Sequence, residues 1–143
     1  MSNSNDFSIE WLSSLEFINN VSGDSSQIFF TIYKKDAILR DFGHSWILYM
    51  KLNVDYKQMD TARLNKLCSI LTAGKEYRHM GVYLSNNNCF LCRSYLKNGN
   101  HRSHISLIIM QHTFAVLLDK NFAKIDDEES HSHSSYSNII NLA

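Results

Sequence analysis

In "SWILYMKLNV", residues 45 to 54, Trp46, Leu48, Met50, Leu52 and Val54 alternate with Ile47, Tyr49, Lys51 and Asn53. A period of two sends successive side chains to opposite sides of an extended backbone, so this run predicts a strand whose even-numbered face meets a core. Its odd-numbered face is mixed and partly wet, as in an antiparallel sheet with one solvated side. Upstream, "QIFFTIYKKD" reads as a strand and "AILRDFG" as a short return, which makes a three-stranded meander.

The remaining segments have helical or hairpin spacing. Asn5 and Asp6 can cap a first helix in which Phe7, Trp11, Leu12, Leu15 and Ile18 share one face, with Gly23 marking its end. Met59 and Asp60 open a second helix, apolar at Leu64, Leu67, Cys68 and Leu71 and closed by Gly74. "RHMGVYLSNNNCFLCRSYLKNG" reads as two strands joined through Asn86 to Asn88, because asparagine tolerates the left-handed backbone of tight turns. Ser103 or His104 then starts a third helix to about Asn121, with an apolar surface from Ile105 to Leu118 wide enough to require cover by the sheet. The expected fold is α+β: helix, three-stranded meander, helix, strand pair, helix, with an antiparallel sheet packed against the helices.

A chain of 143 residues fits one domain and can bury a core without a metal or disulfide. That domain is placed at residues 1–125. After Ile125 the sequence turns to "DDEESHSHSSYSNIINLA", so residues 126–143 are expected to form a flexible acidic, Ser- and His-rich tail. Fourteen basic and fourteen acidic residues cancel overall. The balance gives no reason to expect a polyanionic partner and argues against nucleic acid. Three cysteines point to a reducing cytosol, and "MSNSNDFSIEW" lacks the basic and apolar regions of a signal peptide. No stretch is long and apolar enough to predict a membrane span.

The sharpest chemical candidate is Cys89 and Cys92 followed by His101 and His104, four zinc-type ligands in order. A strand through "CFLCRSYL" would separate the two cysteines, since side chains three apart on a strand face opposite ways. The bland reading is that Cys68, Cys89 and Cys92 fill apolar positions, and no metal is expected. The chain has no Gly-x-Ser-x-Gly, phosphate loop or dinucleotide fingerprint, so neither an enzyme nor a cofactor is expected.

The leading helix "FSIEWLSSLEFI", the meander "QIFFTIYKKDAILRDFGHSWILYMKLNV", the middle helix "MDTARLNKLCSILTAG", the strand pair around Asn87 and the closing helix with "TFAVLLDKNF" together resemble the class I chaperones of bacterial type III secretion. The resemblance spans about Phe7 to Phe122. It implies a bacterial cytoplasmic homodimer, working alongside the secretion ATPase, that keeps an extended N-terminal segment of a secreted effector protein export-competent. An extended client of that kind can be held by apolar pockets and by strand addition to a sheet edge. The candidate client contacts are Phe29, Tyr33, Ile47 and Tyr49, on a face opposite the helices and bordered by Trp11. By analogy with the family, Leu64, Leu67, Cys68 and Leu71 divide between core and dimer interface. The competing reading is a small zinc-dependent interaction or nucleic-acid-binding module using Cys89, Cys92, His101 and His104.

Overall fold

The structure is a computed structural model that describes residues 7–55, 60–73, 79–97 and 100–131. Its elements in chain order are α1 (Ile9–Ser13), β1 (Ile18–Gly23), β2 (Gln27–Ile32), β3 (Lys35–Asp41), β4 (Ser45–Asp55), α2 (Thr61–Ala73), β5 (Met80–Ser85), β6 (Asn88–Leu96) and α3 (His101–His131). The six strands form one antiparallel sheet in the order β1-β2-β3-β4-β6-β5. The class is α+β as expected, but the element order differs at its start.

The expected leading helix stops early. Ser8 caps it, its hydroxyl accepting the Trp11 N–H at 3.0 Å, and the chain leaves the helix after Ser13. The Ser14 hydroxyl donates to the Trp11 carbonyl at 2.5 Å, a local bond that competes with continued helix. Ile18 and Val21 then enter an edge strand, where β-branched side chains pack well. Ile18 reaches the core as expected, though from β1 rather than from a helix face. The meander therefore has four strands instead of three. At its first turn Gly23 has φ +117°, and a Cβ there would lie 2.2 Å from the Gln27 carbonyl oxygen, so the turn needs glycine.

A second departure lies inside "QIFFTIYKKD", which is not one strand. Tyr33 and Lys34 adopt φ of 47° and 74° and form a two-residue hairpin turn between Ile32 and Lys35. Neither residue type advertises a left-handed turn. The later hairpin is the legible one: Asn86 and Asn87 have φ of 50° and 66°, joining Ser85 to its partner Asn88.

Strand β4 keeps the alternation of its sequence. Trp46, Leu48, Met50, Leu52 and Val54 are buried on the face that α3 covers, in register with Ala37 and Leu39 of β3 and with Leu91 and Tyr95 of β6. Helix α3 starts at His101 under an Asn100 cap, whose side-chain oxygen accepts the Ser103 N–H at 2.8 Å. It continues to His131, past the composition change at residue 125; residues 132–143 of the expected tail lie outside the described residues. Ile108, Gln111, Phe114, Ala115, Leu118 and Phe122 form its buried stripe. The sheet does not cover the whole apolar surface, and Ile109, Met110 and Leu117 stay exposed. Asp60 caps α2 as expected, accepting the Arg63 N–H at 2.8 Å, whereas Gly74 lies outside the described residues.

Two polar clamps fix α3 to the sheet. Gln111, fully buried, donates to the carbonyls of Leu48 at 2.9 Å and Leu91 at 3.1 Å and accepts the Tyr95 hydroxyl at 2.7 Å. Further along, Asp119 pairs with Lys35 and accepts the Asn53 N–H at 2.8 Å, while Lys35 also donates to the Lys51 carbonyl at 2.7 Å. Every group in these clamps has a partner, which is what makes their burial tolerable.

The cap region of α3 carries a pH signature. His104 is buried, stacked on Phe7 with ring centroids 4.7 Å apart, and its Nε2 meets the Leu96 carbonyl at 3.1 Å. That contact requires Nε2–H, which leaves Nδ1 as a bare lone pair, and Nδ1 is sealed without a partner. Burial therefore pushes the His104 pKa down, and burial does the same at His112, assisted by Lys35. The unfolded chain then binds protons that the folded chain refuses. Stability is expected to be full above the ordinary histidine pKa and to fall as pH drops through it towards the lowered folded values. Urea titrations of the wild type, His104→Phe and His112→Phe at a series of pH values check this. Each variant should show a shallower loss of stability on mild acidification.

Candidate functional site

The face of the sheet away from α3 carries no helix among the described residues. Register places Phe29, Ile38, Tyr49 and Cys92 in one row across β2, β3, β4 and β6, with Gly81 of β5 at its end. Adjacent rows add Arg40 beside Ile47, and Lys51 beside Phe90 and Tyr83. The result is an aromatic strip on an open sheet. Tyr49 meets Tyr83 at 5.5 Å and Phe90 at 6.3 Å between centroids, and the Arg40 guanidinium sits 5.4 Å from the Tyr49 ring.

Apolar surface remains uncovered on this strip. Phe29 is 42% exposed and Tyr83 43%. A shallow cavity of about 190 Å³ is bounded by Ile38, Arg40, Tyr49, Tyr83, Ser85 and Phe90. Burial among these rings pushes the Tyr49 hydroxyl pKa up, so it stays protonated and can donate a hydrogen bond. The arrangement suits an extended peptide: an apolar track with a cation, a hydroxyl and, among the described residues, strand edges at β1 and β5.

The candidate client residues divide between the two faces. Phe29, Ile47 and Tyr49 come together on the open face. Tyr33 does not: the hairpin turn takes it out of β2, and its ring lies 5.5 Å from Phe17 and 4.9 Å from His112 of α3. Trp11 is also on the helix side, stacked on His101 at 4.3 Å. Ile38, Arg40, Tyr83 and Phe90 complete the strip. A register count through a turn at Tyr33 and Lys34 would have found Ile38 and Arg40.

Of the residues assigned to a dimer interface or core, Leu67 is fully buried in the core, Leu64 is half-buried and Cys68 is exposed. The side chain of Leu71 lies outside the described residues.

The zinc arrangement is not assembled. Cys89 is buried on the α3 side of β6, whereas Cys92 shares the open face with Tyr49 and Gly81, so the sheet separates the pair. His104 is engaged with Leu96 and Phe7, and His101 with Trp11. Burial also pushes the thiols up, Cys89 to about 11 and Cys92 to about 12, which keeps both in the form that does not ligate metal or attack disulfides. A thiol reagent at neutral pH is expected to modify exposed Cys68 first. All three should react at similar rates in denaturant; fast modification of Cys89 in the native protein would contradict this placement.

A wider cavity of about 840 Å³ opens on the α3 side between the Tyr33–Lys34 turn, the end of β4 and Lys120. Its floor is the Lys35–Asp119 pair, whose opposite charges answer each other. No described helix is long and apolar enough to cross a membrane. Comparison of the chain with protein-family models, curated proteins and solved structures gives no match.

Proposed function

We propose that this chain is a non-enzymatic type III secretion chaperone, acting as a homodimer in the bacterial cytoplasm, that binds an extended N-terminal segment of a secreted effector protein and keeps it export-competent for the secretion ATPase. The observation that supports the reading is the strip of Phe29, Ile38, Tyr49, Tyr83 and Phe90 on the face away from α3, where Phe29 and Tyr83 remain exposed. A partner covering it gains apolar burial, and an unfolded segment can follow the strip without having a shape of its own. Strand addition along β5 would supply main-chain hydrogen bonds that are indifferent to client sequence.

Co-expression with N-terminal segments of candidate secretion substrates, followed by mass measurement of any complex, tests the proposal. A complex of two chains with one client is the expected result; a monomer that never retains a segment would sink it. Replacing Phe29 or Tyr83 by serine is expected to weaken client binding by about tenfold each, as for a moderate interface anchor. Their partial exposure means that the fold should barely register the change, within about 1 kcal/mol by urea denaturation.

A further inference from the structure

Arg93 stands on the α3-covered face of β6, in register with Leu48 of β4 and Met80 of β5. It is 8% exposed, and its Nε and Nη1 are sealed from solvent without a hydrogen-bond partner. The ion pairs among the described residues join Lys35 to Asp119, Arg63 to Asp60 and Lys97 to Asp41, and none reaches Arg93. Among the described residues the group that meets its charge is the Tyr95 ring, 5.9 Å from the guanidinium carbon, which answers it weakly.

A guanidinium presents its N–H donors as a planar fork that matches a carboxylate. A buried, unpaired charge is among the costliest arrangements a domain can hold, and in folded proteins such groups meet an opposite charge. We propose that Arg93 is the receptor for a carboxylate brought by a ligand. Nη2 is the guanidinium nitrogen not sealed, and it forms an edge with either neighbour, giving the planar two-pronged geometry a carboxylate takes. The apolar walls of Leu48, Met80 and Tyr95 favour a monoanion over a doubly charged phosphate, because desolvation cost rises steeply with charge. Met80, on the edge strand and with a pliable side chain, is the residue that can shift to admit it.

The carboxylate can come from a free small acid or from an acidic side chain of a bound protein segment, and the site does not depend on the chaperone reading. The test is thermal and urea unfolding of the full chain at neutral pH in sodium acetate, in sodium phosphate and with a blocked Gly-Glu-Gly peptide, each against sodium chloride at equal ionic strength. Acetate should raise the folding equilibrium constant by about tenfold once it reaches roughly nine times its dissociation constant. The glutamate peptide acting at lower concentration than acetate assigns the source to a protein segment, and equal potency assigns it to a small acid. Arg93→Met should lose the carboxylate response while staying folded in chloride. Should that variant fail to fold, the Arg93 side-chain Nε–H resonance of the wild type gives the same answer, since acetate is expected to shift it. A phosphate response exceeding that of acetate, an acetate response that Arg93→Met retains, or an unmoved Arg93 resonance at saturating acetate would overturn the proposal.

Discussion

Lys35→Met is expected to lower the unfolding free energy by about 3–5 kcal/mol, the usual cost of removing one partner from a buried ion pair. The side chains of Lys35 and Asp119 are only 8% and 11% exposed, so Asp119 would be left as a carboxylate with the Asn53 N–H and no ion-pair partner among the described residues. The Lys51 carbonyl loses its ammonium donor in the same step. Urea denaturation of the single variants Lys35→Met and Asp119→Leu and of the double variant separates the pair from its surroundings. The double variant should recover part of the loss, because apolar replacement of both charges removes the desolvation penalty along with the attraction. A single variant as stable as the wild type would mean that α3 does not depend on this clamp.

Gln111→Leu is expected to cost about 2–4 kcal/mol, from stranding the buried Tyr95 hydroxyl and losing the bonds to the Leu48 and Leu91 carbonyls. Tyr95→Phe strands the other side of the same bond, leaving the Gln111 side-chain oxygen without its donor. A cycle with Gln111→Leu and Tyr95→Phe combined measures the coupling, expected at about 1–3 kcal/mol because the two side chains are in direct contact. Additive losses would show that the 2.7 Å bond contributes nothing beyond shape. Both variants act where α3 crosses the centre of the sheet, so amide exchange should accelerate in β4 and β6 together.

The strongest alternations were readable in the sequence because burial and backbone period coincide there. β4 and β6 each bury every second residue, and the Asn86–Asn87 turn uses the side chain best suited to a left-handed backbone. The rest was hidden where local preference and tertiary demand disagree. Phe7, Trp11, Leu12, Leu15 and Ile18 satisfy a helical face, yet the sheet gains an edge strand by taking Ile18 in extended form. At Tyr33 and Lys34 the pairing of β2 with β3 imposes a turn that the residue types do not announce. That turn carries Tyr33 out of β2, so Phe29 and Tyr33 end on opposite sides of the sheet.

What the sequence determined by itself is the period of its strands, the cap at Asp60, the turn at Asn86–Asn87, and the separation of Cys89 from Cys92, since each depends on neighbours within a few positions. Only the tertiary structure decided that Phe29, Ile38, Tyr49, Tyr83 and Phe90 lie together with Phe29 and Tyr83 exposed, and that Arg93 is buried without an answering charge among the described residues. Those residues come from five strands, and only the strand order joins their separate patterns into one surface.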